Sequence, residues 1–393
     1  MIGGTALLDW WPSVAGAVFA GMLMPVAIGA RGIGHDELHG VQKMHVDLTS
    51  RLGGAMVVIA FLVVVAIAQH LGHVALADAV PLALAALPVV LIGLWEDVTR
   101  RVRPRYRMLA AIASGALASQ FAGGIVPRLD LPLLDELLRH AWFALPLTWF
   151  MVAGACNAIN IIDGAHGLAG GTALIMFGGI ALAAGWSGDT RTLAEALAVM
   201  GALVGFLFWN YPRGRIFLGD AGAYFIGFMY AEISIRLITR NSGISAWYVT
   251  MLAGYPIVDT LFSMYRRGII QGRKLMAPDA LHLHSLVFRR IAMPIERRVK
   301  DRRQGDRRQG GPRTDEPPHV DRRQGERRRR DANLRNANAR VAPRLWLHSA
   351  LCFALAVVFH DNTPALLVCL PLYGLFYLSR YRALVRFGRK WAR

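Results

Sequence analysis

Charge is scarce in this sequence. Only 18% of its 393 residues are Asp, Glu, Lys or Arg, against 54% hydrophobic residues. A soluble domain carries about a quarter charged residues. The two or three soluble domains that the length would allow are therefore excluded. Cysteine is scarcer still. Cys156, Cys352 and Cys369 are scattered through apolar segments, which excludes a disulfide framework and zinc spacing. They read as small core residues. The apolar runs lack the period-two alternation of barrel strands. No basic stretch precedes the first run, so no cleaved signal peptide is expected.

What remains is a sequence of long apolar runs. A span takes about 20 mostly apolar residues, and in lipid only helices or closed barrels satisfy the backbone. The expected fold class is all-α, a polytopic transmembrane bundle. Its spans are expected at about 10–30, 53–70, 78–95, 107–125, 142–160, 168–185, 193–210, 221–238, 246–265, 346–360 and 364–379, eleven in all. Basic residues cluster after odd-numbered spans. Arg31, Lys43 and Arg51 follow the first, Arg100 to Arg107 the third, and Arg213 and Arg215 the seventh. By the positive-inside rule the N-terminus lies outside and the C-terminus in the cytoplasm.

The net charge of +18 is mostly one loop. Residues 266–345 hold 23 Lys plus Arg against 9 Asp plus Glu. Within it DRRQG recurs at 301–305, 306–310 and 321–325, and too few apolar residues are present to fold alone. No aromatic residue interleaves the Arg run between 302 and 345, so nucleic acid is not the expected partner. Cytoplasmic retention and attraction to anionic headgroups explain the charge.

Polar residues gather at the expected cytoplasmic ends of the spans, where charge is costly and usually functional. They are Lys43 and His45; Glu96 and Asp97; Asn157, Asn160 and Asp163; Asn210 and Asp220; Asp259; and Asp279, His282 and His284. Glu96–Asp97 could share a cation or form interfacial pairs with Arg100 and Arg101. In NAINIIDGAHGLAGG, residues 157–171, the three-residue spacing puts Asn157, Asn160 and Asp163 on one helix face. The glycines that follow suit a phosphate resting on backbone amides. Asp220, in FLGDAGAY, is either a helix N-cap or a Mg²⁺ ligand. His282 and His284, two residues apart, favour an extended segment that donates to phosphate, since further zinc ligands are lacking. His35-Asp-Glu-Leu-His39 has Asp where a zinc protease needs its general base. Glu232 and Arg236 are expected to pair at i, i+4.

Together and in this order, these motifs resemble the polyprenyl-phosphate N-acetylhexosamine-1-phosphate transferases, the WecA and MraY enzymes. The matching residues are Lys43, His45 and RLGG at 51–54, the acidic pair at 96–97, NAINIIDG at 157–164, Asn210 ahead of FLGD at 217–220, and PDALHLH at 278–284. HLH without a longer acidic continuation is closer to the WecA type. The resemblance implies transfer of N-acetylhexosamine 1-phosphate, GlcNAc 1-phosphate by preference, from a UDP-sugar to undecaprenyl phosphate in the bacterial cytoplasmic membrane, with UMP leaving. It implies Mg²⁺, with Mn²⁺ as substitute, at Asp220, Asp97 and Asp163. Catalytic roles fall to Glu96, Asp97, Asp163, Asp220, His282 and His284. Ligand contacts fall to Lys43, His45, Asn157, Asn160, Gly164, Asn210 and Phe217, the last by stacking on uridine. A homodimer is left open. Residues 1–298 would be the catalytic bundle, 299–343 an Arg-rich irregular loop, and 344–393 a transmembrane hairpin with a basic tail. Three positions depart from the family pattern: Glu96 for Asp, His166 for a second Asp, and Ser285 for a His. A secondary transporter and an inactive scaffold are the rival readings, although no inverted repeat is visible.

Overall fold

The computed structural model describes residues 11–29, 49–72, 76, 78–272, 281–293 and 332–390. Lys43, His45, His35, His39, Asp279 and the DRRQG repeats lie outside the described residues. All eleven expected segments are helical, and no strand is present among the described residues.

The helices are α1 (Trp11–Gly29), α2 (Gly53–His70), α3 (Ala79–Ala85), α4 (Leu87–Thr99), α5 (Pro104–Phe121), α6 (Pro132–Leu138), α7 (Ala141–Ile162), α8 (Leu168–Trp186), α9 (Thr190–Asn210), α10 (Gly219–Arg240), α11 (Ala246–Leu252), α12 (Gly254–Tyr265), α13 (Leu283–Val287), α14 (Val341–Val358) and α15 (Thr363–Lys390). Among the described residues, eight helices are long and apolar enough to cross a membrane, or nine if α3 and α4, bent by 45°, make one span. Length and composition thus fall short of the expected eleven, for local reasons. Arg105 and Arg107 stand in the opening turns of α5. The α11–α12 stretch is interrupted at Ala253, just ahead of Gly254 and Pro256.

Helix α10 is the axis of the bundle, buried along nearly its whole length. It packs against α7, α4 and α2. Lipid offers helices no hydrophobic drive to associate, so close approach through small residues matters. Gly54 of α2 and Gly93 of α4 both meet the first turn of α10. A Cβ on either would lie under 3.0 Å from backbone atoms of Gly222 or Ala221. Gly227 approaches the Cys156 backbone of α7 in the same way. Cys156 and Cys352 are buried, as small core residues should be.

Two expectations need correction. Arg236 does not pair with Glu232; it pairs with Glu195 of α9. A partner on a facing helix is available because both helices bury these positions. The irregular loop ends earlier than residue 343, since residues 332–339 are helical. Leu334, Ala337 and Val341 supply an apolar stripe at helical spacing, and Ala337 and Val341 are fully buried. Asn338 in this stretch accepts a hydrogen bond from the His166 amide at 2.8 Å. Deleting 301–330 should therefore leave activity within a few-fold. Deleting 301–340 removes Asn338 and should lower activity by about tenfold or more, the scale of a lost buried hydrogen bond to a charged or orphaned group. Equal activity of the two deletions in detergent-purified protein would refute the role of Asn338.

Candidate active site

Five helix ends meet at one place: the starts of α2, α5 and α10, and the ends of α4 and α7. The chain before α2 is stitched to the chain before α10. The Phe217 amide donates to the Ser50 carbonyl at 2.8 Å, and the Gly53 and Gly54 amides donate to the Phe217 and Leu218 carbonyls at 3.0 and 2.8 Å. Gly219 sits at φ +72, and a Cβ there would meet the Arg51 carbonyl and the Asp97 carboxylate under 3.0 Å. Only glycine permits that turn. Within this frame Asp97 is wholly buried. Its two oxygens accept from the Asp220 and Ala221 amides at 2.8 and 2.9 Å. These are among the unsatisfied donors that open a helix, so a carboxylate there is favoured by hydrogen bonding and by the helix dipole.

Asp220 is not the N-cap of α10; Leu218 is, and it makes no side-chain cap. The Asp220 carboxylate turns away from its own helix. Oδ1 accepts from Arg51 Nη2 at 3.0 Å and from Asn160 Nδ2 at 3.1 Å. Oδ2 is paired with Arg107. Arg51 also reaches Asp97, Nε to Oδ1, at 3.3 Å. Asp163, in the turn beyond α7, completes the set. Burial, and then the negative charges of Asp220 and Asp97, push its carboxyl up to about 7, against the pull of Arg51 and of the Gly219 amide.

The remaining predicted residues divide. Glu96 accepts from the Val102 amide at 2.9 Å, which closes the turn between α4 and α5, so the two adjacent acids serve different partners. Asn210 braces two loops, accepting from the Gly167 amide and donating to the Ile216 carbonyl, each at 2.6 Å. Asn157 is half-buried on α7 beside Asn160. Phe217 is half-buried and lies 5.8 Å, ring to ring, from His166. His166 also approaches the Pro212 carbonyl through Nδ1 at 3.3 Å. The histidine pair arrives from the other side. A Cβ on Gly164 would run into the His284 ring, so His284 reaches the Asp163 turn. The His282 and His284 rings are parallel, 5.5 Å apart with 4° between planes.

Arg51 and Arg107 are residues of the cluster that the sequence presents without a role of their own, Arg51 as cytoplasmic charge and the first residue of the RLGG motif, Arg107 as cytoplasmic charge alone. Their signal was present. Arg51 stands two residues before the glycine pair that docks on α10, and Arg107 stands one turn into a helix whose first turn holds no acidic residue. Trp346 was also missed; its indole N–H donates to the Gly167 carbonyl at 3.2 Å, supporting the 163–167 turn from α14.

The cluster has three carboxylates against two guanidinium groups, with an amide between them. Among the described residues no group of three His, Cys, Asp or Glu side chains is ready to hold a metal ion. The donors are nevertheless all oxygen, of the kind that suits Mg²⁺, an ion that takes one or two carboxylates and borrows its other ligands from phosphate and water. Three carboxylates facing two guanidinium groups leave a negative charge that a cation would relieve.

Comparison with known proteins agrees with the motifs. The profile of glycosyl transferase family 4 matches residues 79–238. The chain is 30% identical over 249 residues to a "probable undecaprenyl-phosphate N-acetylglucosaminyl 1-phosphate transferase" of Bacillus subtilis, covering 62% of this chain and 66% of that protein. It is 27% identical over 214 residues to the undecaprenyl-phosphate alpha-N-acetylglucosaminyl 1-phosphate transferase of Thermotoga maritima, 54% of this chain and 62% of the other. Against a phospho-N-acetylmuramoyl-pentapeptide-transferase of Oceanobacillus iheyensis the identity is 46%, but over 147 residues, 36% of this chain and 43% of the other. The chain thus spans less than two thirds of the length of these relatives. The site described above falls largely within residues 79–238, the stretch that matches the model of glycosyl transferase family 4.

Proposed function

We propose that this protein transfers N-acetylhexosamine 1-phosphate from a UDP-sugar to undecaprenyl phosphate. GlcNAc is the preferred sugar, because the longer alignments are to proteins named for it. The observation that carries the reading is the Asp97–Asp163–Asp220 set laced with Arg51, Arg107 and Asn160 at the meeting point of five helix ends. Such a site binds phosphate and concentrates charge, and phosphoryl transfer depends on positioning and charge neutralisation more than on covalent help from the protein.

In this reading an oxygen of the lipid phosphate attacks the β-phosphorus of the UDP-sugar. A new P–O bond forms as the bond to UMP breaks, and UMP departs with the electron pair. The lipid phosphate has a second pKa near 6 and is mostly dianionic at neutral pH, so no strong base is needed. Arg51 and Arg107 hold the diphosphate oxygens. Asp220 and Asp163 are the residues to hold Mg²⁺, which would neutralise charge on the diphosphate. Asp97, with both oxygens committed to the α10 amides, fixes Asp220 in place. Phe217 and Gly164 face the nucleotide, and Lys43 and His45 are assigned to substrate phosphate by the motif alone. The site opens on the cytoplasmic face of the bacterial inner membrane, with the N-terminus outside. The bundle before the Arg-rich loop and the C-terminal segment from residue 332 onward together build it.

The test is UMP release in nanodiscs supplied with UDP-GlcNAc, undecaprenyl phosphate and Mg²⁺. Release that requires all three components is the expected result. A transporter would leave the UDP-sugar intact, and a scaffold would bind it without turnover; either outcome overturns the reading.

A further inference from the structure

The segment that carries the two histidines is strapped down by residues that the matched motifs do not include. Asp259, on α12, is 1% exposed. Its Oδ2 lies 3.0 Å from His282 Nδ1. Its Oδ1 accepts from the Leu283 amide at 3.4 Å and from the Tyr377 hydroxyl at 2.5 Å. Tyr377 belongs to α15, the last helix. One turn further along that helix, Tyr381 accepts from Arg266, which also donates to the Leu281 carbonyl at 2.8 Å. Phe262 packs edge-on against both tyrosine rings, at 5.8 and 4.7 Å. Residues 281–283 are thus held from two sides by α12 and α15.

A carboxylate accepts and does not donate, so the His282–Asp259 contact requires the proton on Nδ1. With Nδ1–H committed, Nε2 is the nitrogen left for a ligand. His284, whose ring lies parallel to His282 and against Gly164, links this pair to the Asp163 turn.

We propose that Asp259 and Tyr377 are positioning residues for the transfer: Asp259 fixes the tautomer and orientation of His282, and Tyr377 of the last helix holds Asp259. The proposal rests on the phosphotransferase reading for its kinetic consequence, while its structural part stands apart from turnover. It assigns the C-terminal helix a part in the active site rather than in anchoring alone.

The substitutions Asp259→Asn and Tyr377→Phe preserve shape. Asp259→Asn should lower kcat about 10- to 100-fold, the range found when a carboxylate that orients a functional histidine is lost. KM for UDP-GlcNAc should hold within about twofold. Tyr377→Phe should lower kcat by less, about threefold to tenfold, the scale of one hydrogen bond. The deciding measurement is a double-mutant cycle with His282→Ala. If Asp259 acts through His282, Asp259→Asn costs nothing further in the His282→Ala background. Additive losses would show a merely structural role and overturn the proposal. A second arm needs no turnover. In protein labelled with ¹⁵N-histidine in nanodiscs, the resonance lost in His282→Ala should report a protonated Nδ1 in the wild type and change in Asp259→Asn. A wild-type His282 protonated only at Nε2 would overturn the proposal even in an active enzyme. An inactive wild type with Nδ1 protonated would instead overturn the functional reading and leave the positioning intact.

Discussion

Asp220→Asn is expected to lower kcat around 10²-fold or more, a loss of about 2.7 kcal/mol in transition-state stabilisation. Saturating UDP-sugar should not restore it. Asparagine preserves the size of the side chain and one acceptor oxygen for Arg51 and Asn160, whose bonds to Oδ1 are 3.0 and 3.1 Å. What it removes is the charge. Helix capping cannot supply the difference, because Leu218 holds the N-cap position. The serious rival is that Asp220 is only the counter-ion of Arg51 and Arg107. The double variant Asp220→Asn/Arg107→Gln separates the two. It restores the local charge balance, so a counter-ion role predicts recovery of thermal stability and an unchanged Mg²⁺ concentration for half-maximal rate, while kcat stays low in either case because Arg107 itself holds substrate phosphate. A cation-binding role predicts that the Mg²⁺ concentration for half-maximal rate moves upward. A wild-type Mg²⁺ dependence in the double variant would remove Asp220 from the metal site.

The helices were legible in the sequence because apolar length is a signal that needs no tertiary context. The breaks were not: the bend between α3 and α4 and the interruption at Ala253 come from packing against neighbours, with only Pro88, Gly254 and Pro256 as local hints. The acids of the site were legible because charge at the membrane edge is conspicuous. Their partners were less so. Arg51 and Arg107 carry the same charge that sets topology, and one sequence signal cannot distinguish a topogenic arginine from one that binds a carboxylate. Asn338 lay hidden in an Arg-rich context that masks the helical stripe of Leu334, Ala337 and Val341. Asp259 stood out as an intramembrane acid, but its link to His282 and Tyr377 spans sequence separations of 23 and 118 residues, which no local pattern reveals.

The second large effect concerns Gly54. Replacing it by alanine should destabilise the protein by about 3 kcal/mol or more, at the upper end of what overpacking costs. A Cβ at Gly54 would lie under 3.0 Å from the Gly222 amide nitrogen and Cα and from the Leu218 carbonyl oxygen. All three are backbone atoms at the start of α10, so no side chain can swing aside. The same turn holds the amides of Asp220 and Ala221 on Asp97. Moving α10 outward by even a fraction of an ångström therefore lengthens the bonds that fix the site, and kcat should fall with stability. Gly154→Ala is the control. It too lies within a helix, α7, but a Cβ there meets nothing within 4 Å. Intrinsic propensity alone should make that variant neutral or more stable by about 0.5–1 kcal/mol. For a chain of this size the Gly54 substitution should lower Tm by about 4 °C or more. If Gly54→Ala melts with the wild type while Asp220→Asn is inactive, then α2 and α10 have more room than the structure gives them, and the site is held by its ion pairs rather than by the contact of the two helices.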